Sequence, residues 1–478
     1  MSVIIPFVRM MVTQFKTTRG ITLGVILIAV SLFATGCLHY PINPRLQQYN
    51  PDTGYRGKNM GEPGNSDKLL LLLTFSGGGT RAAAFSYGVL EELKKTEVTI
   101  EGKKRRLLDE VDGISSVSGG SFTAGYYGLF GERIFDDFER RFLKKNIQGA
   151  LVVRTLLSPV NWVRFFSPYF DRSDLAAEYY DKQVFDDGTF GDIAERKGPM
   201  IVMNATDMIT GIRIPFSQDS FDVLCSDVSR FPVARAAAAS SAVPIVLTPI
   251  TLRNYAGSCG YQMPEPAEKS LQERDTSSWQ YQQLKLVMPY LDAKRKPYIH
   301  LLDGGLSDNL GLRAVLDRVI SLGDVWTTLK YAEQEDVNKV VFIVVNAEKA
   351  ISNEKSLLGT SPGLKSMLKS SSTLSITRYN FETIMLLRAS MKQWKEEVQR
   401  NRCKGGSIST KPGACGDIQF YLIEVKFDAL PDEEERTYFT KLPTSFKLSD
   451  EEVDKLRDAA HRILTQSEAF QRLLRDLK

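Results

Sequence analysis

Leu69-Leu70-Leu71-Leu72-Leu73-Thr74-Phe75-Ser76-Gly77-Gly78-Gly79-Thr80-Arg81 is an apolar run that ends in three glycines. An apolar stretch of this length without polar alternation reads as a strand covered on both faces, the habit of strands inside a parallel sheet. Beyond the glycines, Ala84, Tyr87, Val89, Leu90 and Leu93 recur at helical spacing as far as Lys95. Strand, glycine turn and helix together open an α/β sheet, and two chemistries use such a turn. Glycines let the backbone approach a substrate closely, so the amides of Gly77, Gly78 and Gly79 are candidates to hold an oxyanion, helped by the positive end of the helix. The same residues, as Gly77-x-Gly79-x-x-Ala82, also fit a loose dinucleotide fingerprint.

A second segment tilts the choice. Ser116-Val117-Ser118-Gly119-Gly120 follows a strand expected over Asp112–Val117 and precedes a helix through Phe122, Tyr126 and Leu129. This is the layout of a nucleophile elbow, where a sharp turn lifts a serine hydroxyl above the sheet and small neighbours avoid clashes. Ser116 stands where the usual pattern has its first glycine. Ser115, Ser116 and Ser121 compete by residue type, but only Ser118 is followed by the glycine pair at the turn.

A serine nucleophile needs a base. The chain has three histidines, His39, His300 and His461, and none is well placed: His39 falls in an irregular N-terminal stretch, His461 in the middle of a C-terminal helix, and His300 within a strand. A carboxylate can serve directly if burial raises its proton affinity. Asp303 follows the apolar run Tyr298–Leu302 and precedes Gly304-Gly305; an aspartate opening an ordinary turn is the plainer reading of Asp-Gly. Asp308 is the second candidate, better suited with Asn309 to holding the loop.

Gly-Gly-Gly-x-Arg, a serine elbow and Asp-Gly-Gly, in that order, resemble the patatin-like acyl hydrolases. Asn204-Ala205-Thr206-Asp207, Ser229–Arg235, Ala239–Pro244 and Ser307-Asp308-Asn309 resemble the same family, over roughly residues 68–350. The resemblance implies a three-layer α/β fold around a mostly parallel central sheet. It implies Ser118 as nucleophile, Asp303 as its base, Gly77, Gly78 and Gly79 as oxyanion loop, and Arg81 orienting that loop or meeting an anionic head group. It further implies a lipid ester as substrate and no metal or organic cofactor. Ser76, Ala82 and Ser116 depart from the family's commoner residues; alanine suits position 82 if the helix begins there.

The ends of the chain add location. Arg9, Lys16 and Arg19 precede the apolar run Ile21–Phe33 and then Ala34-Thr35-Gly36-Cys37, a secretory signal too short for a stable span. The cysteine after small residues resembles the lipobox of bacterial lipoproteins, with Ala34 where leucine is usual; an uncleaved signal anchor is the alternative. The expectation is a lipidated Cys37 holding the protein to the cell envelope, at the periplasmic or surface face of an outer membrane. The net charge is +4 over 478 residues, and about +1 without the signal, with no basic stripe of the kind nucleic acid requires. Cys225, Cys259, Cys403 and Cys415 allow two disulfides in an exported chain, with Cys403 and Cys415 the favoured pair.

The expected organisation is a signal peptide over 1–36, a tether over 37–66, a catalytic domain over 67–350 and a mainly helical C-terminal extension over 351–478 packed on the core. Further strands are expected at Met200–Asn204, Lys339–Val345 and Phe420–Val425. Residues 149–171, rich in Leu, Trp and Phe, suit either a helical layer packed on the core or a lid or lipid-contacting surface. Ser449 and Glu452 form a capping box for an amphipathic helix whose stripe runs on to Leu474. Two other functions fit parts of the chain. A non-catalytic lipid-binding envelope lipoprotein would leave Ser118 inert to serine-reactive probes, and a nucleotide-binding oxidoreductase would be indifferent to Ser118→Ala.

Overall fold

The computed structural model describes residues 43–60, 64–244, 246–349, 364–403 and 417–477, with the side chains of 364–373 excepted. The leucine run forms strand β1 (Leu69–Phe75), at the middle of an eight-stranded sheet. After a small hairpin, β2 (Glu97–Ile100) and β3 (Lys103–Arg106), the sheet continues with β4 (Val111–Val117), β5 (Met200–Asp207), β6 (Arg213–Pro215) and β7 (Ile250–Arg253). It is completed by β8 (Tyr298–Asp303), β9 (Lys339–Asn346) and β10 (Gln419–Lys426). The spatial order is β10-β9-β1-β4-β5-β8-β7, with β6 paired to β5. The first five of these run parallel, whereas β6 and β8 oppose β5 and β7 opposes β8.

Both faces of the sheet are covered, which is why its central strands carry no polar alternation. In β9, Val341, Ile343 and Val345 join the larger core, while Val340, Phe342 and Val344 face a second one on the opposite side. Helices Thr80–Lys95, Gly119–Phe130 and Asp450–Gln466 belong to the first layer. Helices Arg313–Leu322, Val325–Tyr331 and Leu364–Cys403 belong to the second. The result is the three-layer α/β architecture with a helical C-terminal region. Ser449 and Glu452 cap the helix Asp450–Gln466 reciprocally; the stripe then breaks at Ser467, which caps a separate helix, Glu468–Asp476.

One region differs from the sequence reading, and a second decides between the two alternatives it left open. The described part of the expected tether, residues 43–60, is docked on the body. Tyr55 is fully buried, its hydroxyl bonded to both the N–H and the carbonyl of Ile201, and the buried Arg56 pairs with Asp219 and Asp222 at 2.6 Å each. Lack of periodicity signalled a spacer, but two anchoring side chains suffice to fix an irregular segment. Residues 149–171 form two short helices, Ile147–Leu157 and Pro159–Phe165, whose large apolar side chains mostly face outward instead of packing as an inner layer. Cys225 and Cys259 are joined in a disulfide. The favoured Cys403–Cys415 pair involves Cys415, and the expected signal, His39 and Cys37 lie in 1–42; all of these fall outside the described residues. Among the described residues no helix is long and apolar enough to cross a membrane.

Candidate active site

Strand register brings the two key side chains together. Val117, the last residue of β4, lies opposite Asn204 of β5, and Asp303, the last of β8, lies opposite Ala205 on the other side of β5. Ser118 and Asp303 therefore leave the two strands that flank β5 at the same level, although β8 runs against the parallel set. The Ser118 hydroxyl donates to Asp303 Oδ2 at 2.9 Å. Ser118 adopts φ +49°, a conformation seldom taken by a residue with a side chain, and it immediately precedes the helix Gly119–Phe130 without capping it through its hydroxyl.

Asp303 is shielded from water. Its Oδ1 accepts the N–H of Gly305 at 2.8 Å, and its carbonyl accepts the Thr206 hydroxyl. Burial pushes its carboxyl up to about 6, against the smaller opposing effect of the Gly305 and Ser118 donors. A carboxylate so placed is a stronger base than one in water, yet ionised near neutral pH.

Ser240, given no individual role in the sequence reading, ties the two together. Its Oγ accepts the N–H of Ser118 at 2.9 Å and donates to the Asn204 carbonyl at 2.6 Å, while its own carbonyl accepts Gly304 N–H. It sits in Ala239–Pro244, singled out only by resemblance; its signal was a serine at the end of an alanine-rich helix, which by itself names no role. Asn204 extends the network, donating through Nδ2 to Ser115 Oγ and the Ser116 carbonyl.

The glycine loop lies directly on this turn. A Cβ at Gly119 would collide with the carbonyl oxygen of Gly79, and one at Gly120 with Phe75, so both positions admit only glycine. Gly78 and Gly79 take φ of +147° and +62°, the left-handed range that glycine alone enters freely. The expectation that all three loop amides face an oxyanion needs correction at Gly77. Its N–H donates to the Asn309 carbonyl at 3.0 Å, and its missing side chain makes room for Asn309 and Ser118. Among the described residues, the amides of Gly78, Gly79 and Gly119 have no acceptor. Gly119 was not among the candidate donors because the sequence motif directs attention to the loop before the serine.

Arg81 also differs from one of its two expected roles. It is 2% exposed, so no head group reaches it. Its Nε donates to Ala347 O at 2.9 Å and its Nη1 to Leu442 O at 2.6 Å, joining the end of β9 to a strap from the C-terminal region. Burial lowers its proton affinity to about 10, with Glu348 opposing. The strap closes over the start of the helix, where Ser445 O accepts Thr80 N–H at 2.9 Å. A dinucleotide pyrophosphate would need that helix end, which the chain itself fills.

The remaining candidates sit apart. His300 Nδ1 lies 3.0 Å from Thr251 Oγ1 between the two antiparallel edge strands, and His461 pairs with Glu92. Asp308 accepts Arg313 N–H at 2.7 Å and holds the loop; burial pushes its carboxyl up to about 6 as well. No group of three histidine, cysteine or carboxylate side chains among the described residues is disposed to ligate a metal ion. The arrangement is a serine hydroxyl bonded to a buried carboxyl beside free, fixed amides, which suits nucleophilic attack on a carbonyl carbon.

Residues 73–316 match the family model described as patatin-like phospholipase. No curated protein matches the chain. Among solved structures, human GIVD cytosolic phospholipase A2 is similar at 12% identity and a TM-score of 0.44, over 86% of this chain and 60% of that one. The same human enzyme in complex with methyl gamma-linolenyl fluorophosphonate gives 12% identity and a TM-score of 0.38, over 86% and 59%. The chain thus spans about 60% of the length of the human enzyme.

Proposed function

Because the chain belongs to the patatin-like phospholipase family, we propose that it is a serine acyl hydrolase of membrane lipids working through a Ser118–Asp303 dyad. The observation that carries this reading is the 2.9 Å hydrogen bond between Ser118 Oγ and Asp303 Oδ2. Asp303 takes the Ser118 proton as Oγ attacks the ester carbonyl carbon. The resulting oxyanion is held by the amides of Gly78, Gly79 and Gly119, and collapses as Asp303 returns the proton to the departing alcohol. The acyl-enzyme is then cleaved by a water that Asp303 deprotonates, which releases the fatty acid and restores the serine. Glycerophospholipids are the proposed substrate class, met at a cell envelope where a lipidated Cys37 anchors the chain.

The pH dependence follows from the base. Asp303 acts only when ionised, and its carboxyl is pushed up to about 6. Turnover of a soluble ester is expected to fall along a single acid limb centred near pH 6 and to be flat above it. Initial rates between pH 4.5 and 8.5 check this; a limb near pH 4 would mean a base in ordinary solvent.

A fluorophosphonate that reacts with activated serines tests the function itself. The expected adduct is on Ser118, accompanied by release of free fatty acid from phospholipid by the purified protein. A protein that binds lipid, forms no adduct and releases no acid would be a lipid-binding member of the fold instead.

A further inference from the structure

The two helices Ile147–Leu157 and Pro159–Phe165 turn an apolar face to solvent. Val153, Leu156, Leu157, Val160, Trp162 and Phe166 are each more than half exposed, with Leu157 at 72% and Phe166 at 88%. Large contiguous sets of this kind mark interaction sites, and isolated apolar side chains do not. The pair of helices holds its own shape: Trp162 Nε1 donates to Thr155 O at 3.1 Å and Asn161 Nδ2 to Arg154 O at 3.0 Å. The face therefore stays presented without a cover.

Its charge points to the occupant. From Lys144 to Phe170 the chain has four basic residues, Lys144, Lys145, Arg154 and Arg164, and no aspartate or glutamate. Lys144 pairs with Glu139 and Asp454 and Arg164 with Glu178, all outside the segment, so its net positive charge rests on Lys145 and Arg154. A second copy of the chain would set this basic segment against itself across a two-fold axis, an unfavourable match. Aliphatic and aromatic side chains rimmed by arginine and lysine match the boundary of an anionic bilayer, where acyl chains meet head groups.

Its supports are those of the site. Gln148 N–H donates to Phe446 O, one residue from the Ser445 carbonyl that caps the glycine-loop helix. Ser173, just beyond the pair, donates its hydroxyl to Thr248 O on the loop that follows Ser240. That loop exposes Val246, and the turn after Asp303 exposes Leu306.

We infer that the helix pair 147–165, with Phe166, docks on the surface of an anionic lipid bilayer and lays the site against it. Leu157, Val160 and Phe166 enter the acyl region while Arg154 meets phosphate head groups. This rests on the acyl-hydrolase reading for its purpose, but binding is measurable without turnover.

The test uses the full chain and vesicles of phosphatidylcholine and phosphatidylglycerol with brominated acyl chains, which quench nearby tryptophan. Quenching carried by Trp162, and absent from Trp162→Phe, is expected. A Leu157→Asp, Phe166→Asp double variant, altered only at exposed positions, should lose the quenching. It should also release fatty acid from vesicles about tenfold or more slowly, as expected for two apolar anchors, while hydrolysing a short soluble ester at its normal rate. Absence of Trp162 quenching, unchanged vesicle turnover, or a dimer in sedimentation that the double variant breaks would each overturn the inference. If no ester is hydrolysed by any form but Trp162 is still quenched, the acyl-hydrolase reading fails and the docking face stands.

Discussion

Replacing Ser118 by alanine is expected to lower kcat for ester hydrolysis by about 10⁴-fold or more, the scale seen when a covalent nucleophile is removed. The residual rate would come from the oxyanion donors and from binding alone. KM should change little, because the hydroxyl contributes to the reacting centre and not to holding the acyl chain. Folding should be nearly unaffected. Alanine keeps the Cβ, the N–H bond to Ser240 Oγ and the packing against Gly77, and loses one hydrogen bond of about 1 kcal/mol. Steady-state rates with a thermal melt check both halves. Retained activity in a folded Ser118→Ala protein would remove the serine from the mechanism.

Asp303→Asn is expected to lower kcat by about 10³-fold, since it removes the proposed general base while keeping the shape. Its effect on stability runs the other way. The Asp303 carboxyl is raised from an ordinary 3.8 to about 6 by burial. Below pH 3.8 it is protonated folded or unfolded and does not distinguish the states. Between the two values the unfolded chain releases a proton that the folded chain retains, and stability declines as pH rises. Above pH 6 the full destabilisation, on the order of 3 kcal/mol, is present. The asparagine variant, able to accept from Gly305 N–H as before, should therefore exceed the parent in stability at pH 8 and match it near pH 3.5. Denaturant midpoints at the two pH values decide this. Equal curves at pH 8 would show that the carboxylate is not strained by its surroundings.

Much of this site is legible from residue order because its parts are backbone devices with narrow chemical requirements. An unbroken leucine run needs cover on both faces, and the sheet supplies it through helical layers on either side. A serine at positive φ needs glycines after it, and Gly119-Gly120 meet the backbone of the neighbouring loop. Asp303 is legible as a strand end, but its direction is not: apolar alternation is the same whether β8 runs with β5 or against it. Short strands such as β6 and β7 carry too few residues to show a period. Gly77 and Ser240 mark the deeper limit, since which carbonyl accepts an amide and which hydroxyl holds a turn depend on partners far along the chain. Residues 43–60 show the same thing from the other side. Their irregular composition suggests free chain, while two ionic contacts and one buried ring hold them in place.

The strap from Leu442 to Ser445 gives order of synthesis a catalytic meaning. Ser118 and Asp303 are both translated before it, yet one of the two carbonyls that hold the Arg81 guanidinium, Leu442 O, and the carbonyl that accepts Thr80 N–H, Ser445 O, lie in this late segment, Ala347 O being the other guanidinium acceptor. A nascent polypeptide still lacking the strap would carry the proposed Ser118–Asp303 pair beside a cradle with Thr80 N–H and one guanidinium donor unmet, so the cradle would settle only after residue 445 had been made.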